Sequence, residues 1–486
     1  MGYERAVVLS SADLHDGQRL MVHNCEDCAC AVTEALAEAG PVPSFDTGPW
    51  VRAAELVDLP LDAGRRLLFN PLGRGGVVVV NEPASQLVAS LASPSIVDSA
   101  DDAVRKLAAL ELIHPVSTPV RPSFGTGTML TAWLHVTNAC NLRCPYCYVD
   151  KTAEKMEDEV GYASVDAILR SAVDNGFRAV KLKYAGGEAS LNHHLVRVLH
   201  AYVRERALDL GLELHATLLS NGVRLPDPFV DELTGAGVRI MVSLDGVGDS
   251  HDAQRPFVSG KPSFHHVERT IDRLVSRGHR PHLSITVTNR NADDLPAAVR
   301  FALERDLTFS LNFFRDNDCA ASFTDLRYEE QGMISALLKA FEVVEEFLPP
   351  WSVLGAILDR GQLVQPRERS CGVGQDYVVI DQRGGVAKCH MEIERTLGDV
   401  FTDDPLRLVR SDQRTVLNLA VDEKEGCRTC TWRYWCSGGC AVATFRATGR
   451  YDVKSPNCNI YKAIYPAALR LEGLRLLKYA GEQVGS

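Results

Sequence analysis

The sequence has no apolar run close to the ~20 residues that a helix needs to cross a bilayer, which argues against a helical membrane anchor. It does not open on a basic region followed by an apolar stretch. Met1-Gly2-Tyr3-Glu4-Arg5 has neither, so no export signal is read and a cytoplasmic location is expected. An excess of positive charge is missing too: 52 Lys and Arg against 63 Asp and Glu leave a net charge of −11. Nucleic acid and anionic membranes reward clustered cations, so neither is expected as a partner. Cysteine, by contrast, is plentiful, at 14 in 486 residues. Without export a disulfide framework is not expected, because cytosolic thiols are kept reduced. Clustered thiols at short fixed spacings then read as metal ligands.

Three regions follow one another in a chain whose length predicts about two or three domains. Residues 1–125 close on the proline-rich stretch 115–122, which reads as a linker. Within them, 65–70 and 76–81 are β-type runs joined by Pro71-Leu72-Gly73-Arg74-Gly75, a hairpin signal. Apolar residues then recur at helical spacing over 84–91 and 103–113. This order predicts a winged-helix-like module.

Residues 126–345 alternate strand and helix, which predicts parallel βα units. Strands are expected at 131–137, 180–184, 213–219, 238–244, 283–287 and 309–313, with helices such as 164–175 and 193–208 between them. Six units are too few for an eight-stranded barrel and suit an open partial (β/α)6 barrel, so the fold class is α/β. Just past the strands stand Cys140, Gly186-Gly187-Glu188, Ser220-Asn221-Gly222, Asp245-Gly246, Thr288-Asn289 and Arg315-Asp316-Asn317. The C-terminal strand ends carry the chemistry of α/β barrels, so one active site is expected there. Residues 365–486 hold a hairpin, 377–381 and 386–389, and little regular helix before 460–479. Metal clusters would supply the cross-links that so modest a core lacks.

Cys140-Asn141-Leu142-Arg143-Cys144-Pro145-Tyr146-Cys147 places three thiols directly after the first strand. Three thiolates can ligate three irons of a cubane and leave the fourth iron open to an exogenous ligand. A zinc site wants a fourth protein ligand, and His135 lies on the preceding strand, pointing elsewhere. CxxxCxxC after the first strand of a partial barrel resembles the signature of the radical S-adenosylmethionine (SAM) superfamily. The resemblance implies a [4Fe-4S] cluster on Cys140, Cys144 and Cys147 whose open iron binds SAM, and a 5′-deoxyadenosyl radical that takes hydrogen from the substrate. By the same resemblance, Gly186, Gly187 and Glu188 hold the SAM amino group, and Ser220 and Asn221 reach its ribose and carboxylate. Ser243, Asp245 and Arg255 belong to a stretch whose arginine pairs with that carboxylate, and Tyr146 lies near the adenine.

The last region carries Cys371, twelve residues to Gly384, four more to Cys389, then Cys427-x2-Cys430-x5-Cys436-x3-Cys440 and finally Cys458. Two CxxC-like knuckles are also a zinc-ribbon pattern. The full spacing resembles the SPASM domain of radical SAM enzymes that modify peptides. That implies two auxiliary iron–sulfur clusters, one on Cys371, Cys389 and Cys440, the other on Cys427, Cys430, Cys436 and Cys458. The first then lacks a fourth cysteine, and an open iron, Asp376 or His390 are the alternatives.

The N-terminal region resembles the PqqD-like recognition module of ribosomal-peptide biosynthesis, which implies leader-peptide binding along a strand edge; a cap packed on the barrel is the other reading. The expected activity is maturation of a ribosomally made precursor peptide, by a cross-link or other oxidative change, with a flavodoxin- or ferredoxin-type reductant. Sulfatase-type maturation of a protein Cys or Ser is the alternative. It would want an Asp after Cys389, where His390 stands as a candidate base instead. A zinc-bound peptide-binding scaffold would have no use for the glycine and Ser-Asn motifs. Cys25, Cys28 and Cys30 match no metal spacing, and with Cys319 they read as incidental or structural thiols. Trp432, Tyr434 and Trp435 are expected to pack on the outer cluster.

Overall fold

The computed structural model describes residues 5–14, 45, 48–125 and 127–480, so Cys25, Cys28 and Cys30 lie outside the described residues. The N-terminal module contains β1 (Val8–Leu9), β2 (Trp50–Arg52), β3 (Val57–Pro60), β4 (Arg66–Phe69), β5 (Val77–Val80) and β6 (Ile113–Pro115). The expected hairpin is β4–β5, antiparallel with Phe69 opposite Val77. It sits inside a sheet of order β1-β5-β4-β3, backed by helices Glu82–Ser90 and Asp102–Ala109. Asn81 caps the first helix by accepting from the Ala84 amide, and Asp101 caps the second through Ala103.

The six predicted barrel strands all form: β7 (Met129–His135), β8 (Ala179–Ala185), β9 (Glu213–Ser220), β10 (Val238–Ser243), β11 (His282–Val287) and β12 (Phe309–Phe313). They pair in parallel and in sequence order. Side chains alternate with the pleat. Leu130, Leu134, Val180, Leu182, Leu218 and Leu283 join the core under the helices. The intervening positions are polar yet buried, among them Thr131, Lys181, Lys183, Thr217, Ser284 and Ser310. An apolar outer face and a polar inner face leave the barrel interior suited to chemistry rather than to a solid hydrophobic plug.

The sheet does not stop at β7. β13 (Tyr377–Ile380) pairs in parallel with it, Tyr377 opposite Thr131, and β14 (Gly385–Ala387) and β15 (Thr396–Asp399) follow antiparallel. The cysteine-rich region is therefore welded to the barrel edge through a nine-stranded sheet. It is also more helical than the sequence suggested, with helices Pro405–Ser411 and Ala441–Thr448 before Cys458–Tyr479. The first is seven residues long and starts at an Asp404 cap that accepts from Arg407 at 2.7 Å, too short to show a period in the sequence.

The N-terminal module docks on this region. Trp435 stacks obliquely on Phe69 at 4.7 Å, its Nε1 donates to the Pro71 carbonyl at 2.8 Å, and Trp432 lies 6.1 Å from the same phenyl ring. Tyr434 turns toward Phe124, at 5.2 Å. Tyr434 also packs with Cys427, as expected of rings against the outer cysteine set, while Trp432 and Trp435 reach the N-terminal half as well. Gly473 admits the contact on the long helix, because a Cβ there would sit 2.9 Å from Leu61 and Leu67. Phe69→Ala should cost about 3–5 kcal/mol, the usual cost of deleting a fully buried aromatic. The check is thermal unfolding with proteolysis at the 115–122 linker; an unchanged midpoint would mean that the module does not lean on this contact.

Candidate metal centres and cofactor cradle

The chain leaves β7 and lies across the end of β8 before reaching Cys140. Gly187 donates to the Thr137 carbonyl at 2.7 Å and Glu188 to that of Ala139 at 2.9 Å. A Cβ on Gly187 would stand 2.5 Å from the carbonyls of Asn138 and Ala139, so only glycine permits this approach. The opposite side of the cysteine loop is tied to the segment after Arg255, through Arg143 N to the Pro256 carbonyl at 2.8 Å and Val258 N to that of Asn141 at 3.1 Å. Cys140, Cys144 and Cys147 are thus gripped from both sides.

The three thiols act on one another. Burial pushes Cys144 up to about 12, with Arg255 opposing and Cys147 and Cys140 adding. Lys151 is raised although burial would lower it, because the thiols of Cys147, Cys144 and Cys140 hold its charge. His135 is not a fourth ligand: its Nε2 is 2.7 Å from Asn138 Oδ1, and burial brings it down to about 4, so it is neutral. Among the described residues no three His, Cys, Asp or Glu side chains converge to hold one metal ion. A cluster asks less, because each thiolate binds its own iron. Three sulfurs beside Lys151 and Arg255 fit a [4Fe-4S] cluster with one open position.

The residues expected to hold SAM line up beside this loop, and several are bonded to each other. Glu188, 3% exposed, accepts from Ser190 N at 3.1 Å, Ser220 Oγ at 2.9 Å and Asn221 N at 2.6 Å. Its carboxylate therefore ties the end of β8 to that of β9. Asn221 Nδ2 donates to Asn141 at 2.7 Å and reaches Cys140 Sγ at 3.8 Å. Tyr146 OH donates to Asp245, and Arg255 donates to both, at 3.2 Å to the carboxylate. Asp245 also accepts from Thr286 N at 2.8 Å, and Ser243 closes β10 opposite Ser284. Arg255 keeps its charge because Cys144, Tyr146 and Asp245 outweigh burial, while its Nε has no partner among the described residues.

The remaining cysteines fall into two groups. Cys389 is pushed up by burial and further by Cys440 and Cys371. Cys436 is pushed up to about 12 by burial, with Cys427, Cys430 and Cys458 adding. Neither set includes Cys319, which is exposed with its thiol 3.5 Å from the Tyr148 carbonyl. Burial would raise Cys440, but Arg315 and Arg360 bring it below its ordinary value. Asp376, one candidate fourth ligand, packs between Gly127 and Gly372, and burial pushes it up to about 7 against the pull of Arg410. His390, the other, stacks on Trp133 at 4.6 Å, and its Nδ1 is 3.0 Å from Tyr377 OH.

Sequence reading passed over the residues that join these groups. Tyr148 follows Cys147, lies 5.5 Å from His390, and feels the thiols of both Cys147 and Cys389. Asn317, by contrast, was expected just past the sixth strand; it donates to the Tyr146 carbonyl at 3.1 Å, which makes the sixth loop a wall of the site. Position after a cysteine was the available signal for Tyr148, and position just before Cys427 was that for Lys424; Arg360 stands outside the motif it serves. Gly187→Ala should strip iron from the first centre alone, read as lower iron and sulfide per chain after reconstitution; full retention would show that the loop does not need the close approach.

Residues 134–302 match the profile of the Radical SAM superfamily. The chain is 23% identical over 344 residues to a PqqA peptide cyclase of Xanthomonas euvesicatoria pv. vesicatoria, covering 68% of this chain and 87% of that protein. It is 23% identical over 332 residues to a cysteine-type anaerobic sulfatase-maturating enzyme of Clostridium perfringens, covering 63% and 86%. The fold is shared with native anSMEcpe with bound AdoMet and Cp18Cys peptide, at TM-score 0.59 and 18% identity over 73% of this chain and 99% of the other. Streptococcus suis SuiB bound to S-adenosylmethionine follows at TM-score 0.50 and 13% identity, over 84% and 99%.

Proposed function

From the radical SAM domain at residues 134–302, we propose that this protein is a peptide maturase that removes hydrogen from a ribosomally made precursor to form a cross-link or other oxidative modification. The observation that carries the reading is the meeting of two cysteine sets across Tyr148 and His390: Cys147 on one side, Cys389 on the other. A substrate held beside these rings would have a radical source at one cysteine set and an electron acceptor at the other. When bound to the first cluster, SAM supplies a 5′-deoxyadenosyl radical.

The chain's own residues do the rest. Asn221 and the Tyr146–Asp245–Arg255 network shape the pocket wall beside the open position, and Arg255 brings a buried cation for the SAM carboxylate. Gly186 and Gly187 let the chain leaving β7 lie against the end of β8, which sets where the cysteine loop begins. Trp133, Tyr148 and His390 form an aromatic floor that excludes water from a reactive intermediate. In this reading His390, beside Cys389, would accept the substrate proton. Cys371, Cys389 and Cys440, and Cys427, Cys430, Cys436 and Cys458, would hold two auxiliary clusters, which would supply an acceptor for the surplus electron; a flavodoxin- or ferredoxin-type partner would be the reductant.

For the N-terminal module the docking role is favoured over an open strand edge. The β5 edge is already paired with Val8–Leu9, and the β3 edge carries Asp58 and Pro60, residues that blunt strand addition. Among the described residues no helix is long and apolar enough to cross a membrane.

Replacing Cys140, Cys144 and Cys147 by alanine should abolish 5′-deoxyadenosine formation; its survival would overturn the assignment. His390→Asn should leave 5′-deoxyadenosine formation in place and lower modified peptide about 10²–10⁴-fold, the usual contribution of a general base. Product unchanged by mass spectrometry would reduce His390 to packing.

A further inference from the structure

The two auxiliary cysteine sets meet at one loop, Cys436-Ser437-Gly438-Gly439-Cys440. Its first thiol groups with Cys427, Cys430 and Cys458, and its last acts on Cys389 together with Cys371. The three residues between them all have positive φ, 49°, 75° and 69°. Such a run reverses the chain tightly enough to send the flanking thiols in different directions, and it is costly for a side-chain-bearing residue such as Ser437.

Lys424 lies under this loop at 1% exposure. Its Nζ donates to the Ser437 carbonyl at 3.1 Å, and its stem fills the space that a Cβ on Gly438 would need, 2.7 Å from Nζ. Its other end is pinned at the neighbouring knuckle, where Cys427 N donates to the Lys424 carbonyl at 3.2 Å. Burial lowers the pKa of this ammonium, and the thiols that oppose burial belong to both sets: Cys427 and Cys436 from one, Cys371 and Cys440 from the other. Other cations are one-sided. Arg315 and Arg360 act on Cys440, and Lys462 acts on Cys427 and Cys458.

We propose that Lys424 is a positioning residue shared by the two auxiliary clusters: it props the Cys436–Cys440 loop so that its thiolates reach different clusters, and its single charge raises the reduction potential of both. The proposal rests on the auxiliary-cluster reading above. The sign follows from Coulomb's law. An added electron makes a cluster more negative, and a fixed cation beside it favours that form. Because one charge faces both clusters, their potentials move together and the gap between them changes little.

The test uses full-length protein in which Cys140, Cys144 and Cys147 are alanine, so that the first cluster's signal is gone. Samples are reconstituted with iron and sulfide, poised at a series of potentials, and read by electron paramagnetic resonance. Lys424→Met should lower both midpoints at unchanged iron content, by about 59 mV for a tenfold change in the reduced-to-oxidised ratio of a one-electron couple. Lys424→Arg should restore most of the shift. If the methionine variant does not retain iron, Lys424→Gln replaces it in the same comparison. A shift in one cluster only, or in neither, overturns the proposal. Zinc in place of iron at these sites, with no signal before any substitution, is a different result: it overturns the auxiliary-cluster reading itself.

Discussion

The architecture depends on one close approach. The chain leaving β7 must lie against the end of β8 with no side chain between them, and Gly186 and Gly187 make room for it. Backbone hydrogen bonds from Gly187 and Glu188 then fix the start of the cysteine loop. The Glu188 carboxylate passes the same constraint on to β9 through Ser220 and Asn221. Three strand ends are thereby locked together before any cofactor is considered. A site held by backbone contacts and buried hydrogen bonds is preorganised, which is what radical chemistry on a bound substrate requires.

A second principle runs through the molecule: buried thiols come with buried cations. Lys151 and Arg255 stand beside the first set, Arg315 and Arg360 beside the set of Cys440, and Lys424 between the last two. Taking several thiolates out of water is expensive unless opposite charge is taken with them. The arginines and lysines near the cysteines are therefore part of the thiols' electrostatic environment. The overall charge of −11 conceals this local arrangement.

Much of the fold was legible because it is local. The six barrel strands and the reactive residue after each followed from period and punctuation, and the electrostatic partners of the thiols parallel the two sets that the family resemblance implied. What escaped was non-local. Nothing near Tyr377 announces that β13 will pair with β7, since that partner lies well over two hundred residues earlier. Trp435 packs on Phe69 for the same reason, a complementarity that neither segment shows alone. The motif residues lie beside one another, yet Glu188 bonds to Ser220 and Asn221, and Tyr146 to Asp245, in ways that no spacing encodes. The short helix Pro405–Ser411 was missed because one or two turns do not establish a period.

The most direct test of the account is the iron, sulfide and zinc content per chain after anaerobic purification and reconstitution. Three four-iron clusters predict about 12 Fe with matching sulfide and no zinc. Zinc alone, without iron or sulfide, would contradict the account and leave a peptide-binding scaffold in its place.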